Sequence, residues 1–198
     1  RGDERAEVVA PFPQKLAITA LGNSASTGEA GLTAEIVYFK TLDDLRAVPD
    51  GSLIGKIAFI DHAMRRTQDG SSYGQFGQAR FVGPNIASQK GAAAVVIRSI
   101  GTDSHRNPHT GNTNFNKGVK PIPAGALSNP DADNLVRMVN NGSNLPIKLK
   151  LTLTPKNIGM QKSGNVIAEL PGSDPSLPII VVACHLDSWD LGTGAIDD

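Results

Sequence analysis

The sequence has almost none of the residues that staple or anchor a chain. Cys184 is the only cysteine among 198 residues, so no internal disulfide can form and no cysteine-built zinc cluster is available. Net charge is also missing: 19 basic residues are balanced by 19 acidic ones. That leaves no basic field to track nucleic acid or an anionic membrane surface. Arg65-Arg66 is the one dense basic pair, and it reads as a solvated loop feature. No apolar run approaches the ~18–20 residues of a membrane span. The first residue is Arg1 rather than Met, so no targeting peptide can be read, and the composition suits cytoplasm, periplasm or secretion alike.

What is present describes a folded, turn-rich mixed domain. Hydrophobic residues reach 39% and charged residues 19%, enough apolar material for a core. The 21 glycines and 13 prolines argue against a helical bundle. Residues 1–15, charged and then proline-rich at Ala10-Pro11-Phe12-Pro13, read as an extended linker. Strand-like runs at 16–20 and 33–39 flank a Gly- and Ser-rich loop. KIAFID (56–61) is a short apolar run of the kind a buried strand has. Between Phe76 and Lys90 the apolar spacing turns helical at Phe81, Ile86 and Ala87. Pro84 puts the first half of that helix in doubt, and Gly91 is placed to end it. AAAVVI (92–97) then completes a strand–helix–strand unit and predicts parallel pairing.

Residues 130–141 form the clearest helix, with Asn129 as N-cap, Pro130 in the first turn and Gly142 as the stop. Ala132, Leu135, Val136 and Val139 make its buried stripe. IKLKLTLT (147–154) alternates strictly and predicts a half-buried antiparallel strand. The expected core contains Ile57, Phe59, Val95, Val96, Leu135, Val139, Leu149 and Leu151. After Pro155 the pattern restarts, with strands expected at 165–170 and 179–184 around a turn at 171–174. The fold class is therefore α/β (α+β): a small mixed sheet or open barrel with flanking helices.

The chemistry concentrates at the end. The apolar run 179–184 delivers His185 at its tip, where open α/β sheets place ligands. Asp187 lies two residues on and shares a face with His185 in an extended chain, as an orienting partner of a metal-bound imidazole would. A Gly-rich loop then presents Asp197 and Asp198. A histidine, an orienting carboxylate and a bridging carboxylate are what one segment can contribute to a hydrolytic zinc pair. From spacing alone, a capping histidine with loop aspartates accounts for the same residues.

His185-Leu186-Asp187-Ser188-Trp189-Asp190, followed by Gly194-Ala195-Ile196-Asp197-Asp198, resembles the first metal-ligand motif of the di-zinc aminopeptidase and glutamate carboxypeptidase family. The likeness continues upstream through AVVIRSI, Pro108-His109-Thr110-Gly111 and GVKPIPA, stretches similar to that family's protease-associated (PA) domain. The resemblance implies that residues 16–154 form the PA domain, while 1–15 and 155–198 are edges of a zinc peptidase domain. It implies that His185 binds one zinc, Asp197 bridges two, and Asp187 supports catalysis by orienting His185. It further implies a secreted or periplasmic exopeptidase acting on short peptides, with a homodimer as the assembly. The family's catalytic Glu and remaining ligands have no match within residues 1–198. A stand-alone PA-type binding or lid module without catalysis is the competing reading.

Other candidates carry less. His105 and His109 are four apart, but Pro108 and the surrounding Gly, Asn and Ser place them on a loop. His62 follows a strand and reads as a loop residue. Cys184 points away from His185 by strand alternation and is expected in a core rather than in a nucleophilic dyad. Asn141-Gly142-Ser143 fits a glycosylation sequon and also simply ends a helix. Trp189 is suited either to line a cleft or to anchor its loop.

Overall fold

The computed structural model describes residues 2–142 and 145–188, and the chain divides into two units, Arg1–Asn157 and Ile158–Asp198. The first unit carries strands β1 (Glu4–Ala10), β2 (Gln14–Leu16), β3 (Ile18–Ala20) and β4 (Leu32–Phe39), then helix α1 (Leu42–Ala47) and strand β5 (Ile57–Ile60). Three short helices follow, α2 (Tyr73–Phe76), α3 (Gln78–Phe81) and α4 (Gly83–Gln89), and then β6 (Ala94–Arg98). The unit ends with β7 (Ala124–Leu127), α5 (Asn129–Val139) and β8 (Lys148–Leu153). All eight strands belong to one mixed sheet in the order β2-β1-β8-β4-β5-β6-β7-β3.

The centre of the sheet is parallel, from β4 through β5 and β6 to β7. Its two inner strands, β5 and β6, are almost continuously apolar because both of their faces are covered. Ile57, Phe59, Ala94 and Val96 enter one core, closed by Ala132 and Leu135 of α5. Their neighbours Ala58, Ile60, Val95 and Ile97 enter the other, closed by Leu42 and Leu45 of α1 and Ala87 of α4. The parallel pairing expected of 56–61 with 92–97 is present, and β8 is antiparallel to both β1 and β4. Every expected core residue except Val139 is fully buried; Val139 packs against the core from a partly buried position.

The sheet is open, yet its two edge strands are joined in sequence by a single residue, Ala17. The run expected as one strand at 16–20 breaks there, because Leu16 pairs with Ala6 while Ile18 pairs with Leu127. A sheet whose opposite edges are one residue apart must curl. Among the described residues no backbone ladder closes the seam. The Glu4 carboxylate on β1 instead accepts from the Ala20 N–H of β3 at 2.9 Å. Ala17 itself is held by α5: its N–H donates to Asp131 Oδ2 at 2.8 Å, and its carbonyl accepts from the Ser128 N–H at 3.0 Å.

Several expectations need correction. Residues 1–15 are not a linker to this sheet, since β1 pairs with β8 from Glu4↔Leu153 to Ala10↔Lys148. Their polar-heavy composition suits a strand with one covered face, where only Ala6 and Val8 are buried. The N-cap of α5 is Ser128, whose hydroxyl accepts from the Asp131 N–H, and Asn129 is the first helical residue. The helical stretch 76–90 is divided into short pieces, with Pro84 tolerated in the first turn of α4. Gly91 follows the C-cap of α4 at φ +86°, a conformation suited to glycine.

In the second unit the described residues 158–188 contain no helix and no strand. The strands expected at 165–170 and 179–184 are therefore not formed, and Ile167, Leu170, Ile180 and Val182 are exposed. A strand needs a neighbour to take its N–H and C=O groups and a face to bury. The described part of this unit supplies neither. Cys184, expected in a core, is exposed with it. The turn forms later than expected, where Leu177 N–H reaches the Asp174 carbonyl.

Two predictions follow from this packing. Replacing Asp131 by Ala strands the buried Ser128 hydroxyl and the partly buried Ala17 N–H and should cost about 3 kcal/mol in urea unfolding. Removing the exposed Asp43–Arg46 pair should cost less than about 1 kcal/mol; comparable losses would contradict the packing. The second prediction concerns His62, at φ +28°, whose Nδ1 accepts the otherwise unpaired Leu42 N–H at 3.3 Å at the start of α1. Burial holds its imidazole below the ordinary histidine range, against a hydrogen bond to the Gln75 backbone that pulls the other way. The unfolded chain therefore takes up a proton first as pH falls, and stability should decline from about pH 6.5 downward. His62→Asn, which tolerates the same backbone conformation, should flatten that decline.

Candidate metal site

His185, Asp187 and Asp197 were the expected site residues. The first two lie among the described residues; Asp197 does not, nor do Asp198, Trp189 and Asp190. The structure brings His185 and Asp187 together. His185 Nδ1 lies 2.6 Å from the Asp187 carbonyl oxygen and 3.6 Å from its carboxylate Oδ1. At the shorter distance Nδ1 carries the proton and donates to the carbonyl, which fixes the tautomer and leaves Nε2 as the basic nitrogen. Both side chains are substantially exposed.

The imidazole is a donor zinc accepts, and one ring nitrogen anchored by a backbone or carboxylate oxygen is the usual support of a metal-bound histidine. In kind, the donor fits. In number, no group of three or more His, Cys, Asp or Glu stands close enough to hold a metal among the described residues. Cys184 adds nothing to the pair in this arrangement.

The remaining candidates resolve into local structure. His105 and His109 sit on a loop rather than a helix. His105 Nδ1 accepts from the Asn107 N–H, and His109 Nδ1 lies 2.8 Å from the Ile100 carbonyl. His109 also lies beside Tyr73 with the rings tilted, so the two imidazoles serve separate contacts. Asn141 and Gly142 of the sequon are described, but Ser143 falls outside the described residues.

Sequence reasoning passed over a polar cluster at the carboxyl ends of the parallel strands. Arg98, the last residue of β6, donates from Nε to Asp61 Oδ1 at 2.7 Å, and both side chains are about nine-tenths buried. The same guanidinium reaches Asp133 Oδ1 of α5 at 2.7 Å and the Asn129 carbonyl at 3.2 Å. Tyr38 donates to Asp61 Oδ2, and burial, with that carboxylate beside it, pushes its phenol up to about 12. The available signal was one charged residue directly after each of two apolar runs. Helix α1 was missed as well, although Thr41 and Asp44 spell its capping box.

Comparison with known proteins agrees with the motif and with the fold. Residues 165–198 match the model of peptidase family M28, a stretch that contains His185, Asp187 and Asp197. The chain is similar to that family of peptidases. Along its whole length it is 36% identical to carboxypeptidase Q of Bos taurus and 35% identical to carboxypeptidase Q of Homo sapiens. It spans 40% of the length of each of these relatives. A solved peptidase M28 precursor from Shewanella amazonensis SB2B is 46% identical, with a TM-score of 0.73 over 77% of this chain and 34% of that one.

The contrast between the two units is testable by limited proteolysis. The described residues 158–188 have an exposed backbone outside any helix or sheet, while residues 4–153 are tied into one sheet. Early cleavage sites should fall within 158–188 and leave a resistant core near residues 1–157. First cuts inside β4–β8 would contradict the division.

Proposed function

We propose that this chain is part of a secreted zinc exopeptidase acting on short peptides, with residues 16–154 as a PA-type domain and 155–198 as the start of the catalytic domain. The observation that carries this reading is the match of residues 165–198 to peptidase family M28, in a chain related to carboxypeptidases Q along its whole length. Strands β1 and β2 extend the PA-type domain to nearly the first residue, so the part assigned to 1–15 is better joined to it.

In this reading His185 offers Nε2 as a metal ligand. Asp187 holds the ring from the opposite nitrogen and keeps the tautomer that leaves Nε2 basic. Asp197 supplies a carboxylate able to bridge two ions. Bound zinc polarises a scissile carbonyl and lowers the pKa of a bound water toward ~7. The residues' own task is orientation: an imidazole free to rotate offers its lone pair in the right direction only part of the time. Losing such a support typically weakens metal affinity by roughly 10–100-fold.

Two of the three or more ligands a catalytic zinc takes are matched here. The 198-residue chain should therefore hold zinc weakly and hydrolyse no dipeptide. In a polypeptide extended to the length of its relatives, His185→Ala and Asp197→Ala should each remove zinc and activity together. Asp187→Ala removes the carboxylate 3.6 Å from Nδ1 but keeps the backbone carbonyl that meets the ring, so it should lower zinc affinity by no more than about tenfold, with part of the activity kept. Metal content by mass spectrometry and hydrolysis of unblocked dipeptides provide both readouts. An extended His185→Ala protein that keeps its zinc and turnover would refute the proposal, and no activity in any extended form would favour a stand-alone binding module.

A further inference from the structure

Asn141 and Gly142 follow Asn140, the C-cap of α5, and both are exposed. Asn141 is the one asparagine of the chain with glycine after it. The backbone nitrogen of the following residue can attack an asparagine side-chain amide, at a rate set by how easily that nitrogen reaches Cγ. Glycine brings no Cβ into the approach and has the widest backbone freedom.

The fold leaves this pair open. The Gly142 N–H enters no hydrogen bond among the described residues, so the attacking nitrogen gives up no partner when it loses its proton. Gly142 stands at φ +74°, and a Cβ added there would meet no heavy atom within 4 Å. The helix has already ended, since its last closing bond runs from the Asn140 N–H to the Val136 carbonyl.

The other sites where the same chemistry could start are held. Asn23 precedes Ser24, but its amide donates to the Thr113 carbonyl at 3.0 Å, and the Ser24 N–H is spent on the Leu21 carbonyl at 3.1 Å. Asn107 and Asn129 precede proline, whose nitrogen has no proton to lose. Asp50-Gly51 and Asp69-Gly70 offer a carboxylate in place of the amide, and an ionised carboxylate is a poor electrophile. Asp50 is paired with Lys90 at 2.9 Å, and Asp69 accepts from the Ser71 N–H at 3.0 Å.

We propose that Asn141 is a self-modifying site that converts to isoaspartate and aspartate. The Gly142 nitrogen gives its proton to hydroxide and attacks Asn141 Cγ. A new C–N bond closes a succinimide ring, the bond from Cγ to the amide nitrogen breaks, and ammonia leaves with a proton returned by solvent. Water then opens the ring. Opening at the backbone carbonyl gives isoaspartate, which carries an extra methylene in the main chain; opening at Cγ gives aspartate. Either product sets a carboxylate just past the end of α5, at the negative pole of its dipole. Arg137 in the last turn offsets part of that charge. The other end of α5 carries Asp131, which holds Ala17, so the modified chain should melt at a lower temperature. The inference stands on the first unit of the chain alone and does not depend on peptidase activity.

Peptide mapping by fragmentation mass spectrometry tests it, on the 198-residue chain made in a host that adds no N-linked glycans and aged at mildly alkaline pH. Conversion at Asn141 should run at least about tenfold faster than at any other asparagine, with isoaspartate the larger share. The native rate should stay within a few-fold of the rate in the urea-unfolded chain, while Asn23 is strongly protected by folding. Gly142→Ala should slow conversion about tenfold or more, compared in the urea-unfolded chains so that strain at a positive φ plays no part. Asn141→Asp should reproduce the lowered melting temperature of the aged protein. An intact Asn141 beside another converted asparagine would overturn the proposal. So would a native rate far below the unfolded one, or a rate indifferent to Gly142→Ala.

Discussion

One buried carboxylate holds the curl of this fold. Asp131 Oδ2 accepts from the Ala17 N–H, the Ser128 hydroxyl and the Arg106 guanidinium, all within about 3.1 Å. Ala17 is the only residue between the two edges of an eight-stranded sheet, so its position sets how tightly the sheet must bend. A charge this deeply placed is tolerable only when its hydrogen bonds are complete. Here they are supplied by the seam, by the helix cap and by a cation reaching in from the 105–109 loop. The same contact fixes the start of α5, and α5 closes one of the two cores.

From that anchor the rest is placed. Parallel strands β4 to β7 bury alternate residues on opposite faces, which fixes their register and points all their carboxyl ends one way. Asp61, Arg98 and Asp133 gather there because Asp61 follows β5, Arg98 ends β6, and Asp133 lies near the start of α5, which begins at that edge. The charge pairs are costly to desolvate and weak evidence for stability, but they hold the loops that follow the strands in one arrangement.

The legible parts of the sequence were those whose own pattern matched their environment. IKLKLTLT alternates because β8 has one covered face, and AAAVVI is continuous because β6 is covered on both. Gly91 and Pro84 marked true boundaries. The illegible parts were decided elsewhere in the chain. Nothing local in Gln14–Leu16 says that the next residue must cross to the opposite edge of the sheet. Residues 4–10 look like a linker until β8, some 140 positions later, supplies their partner. Conversely, 179–184 reads as a strand from its composition, yet composition cannot supply a neighbouring strand. Of the site, the nearness of His185 and Asp187 could be read because it is local, spaced by two residues, although the ring meets the Asp187 carbonyl rather than the carboxylate that the spacing suggested. The cluster around Asp61, Arg98 and Asn129 could not, since its members come from three places far apart in the chain: just after β5, the end of β6 and the start of α5.

A structurally complete sheet domain followed by a histidine-bearing segment is consistent with a chain covering 40% of its carboxypeptidase Q relatives. The central claim is that His185 is a zinc ligand. X-ray absorption at the zinc edge, on a zinc-loaded polypeptide extended to the relatives' length, addresses it without relying on turnover. The account predicts a first shell of nitrogen and oxygen ligands whose imidazole contribution falls in His185→Ala. An imidazole contribution that is unchanged by that substitution would contradict it.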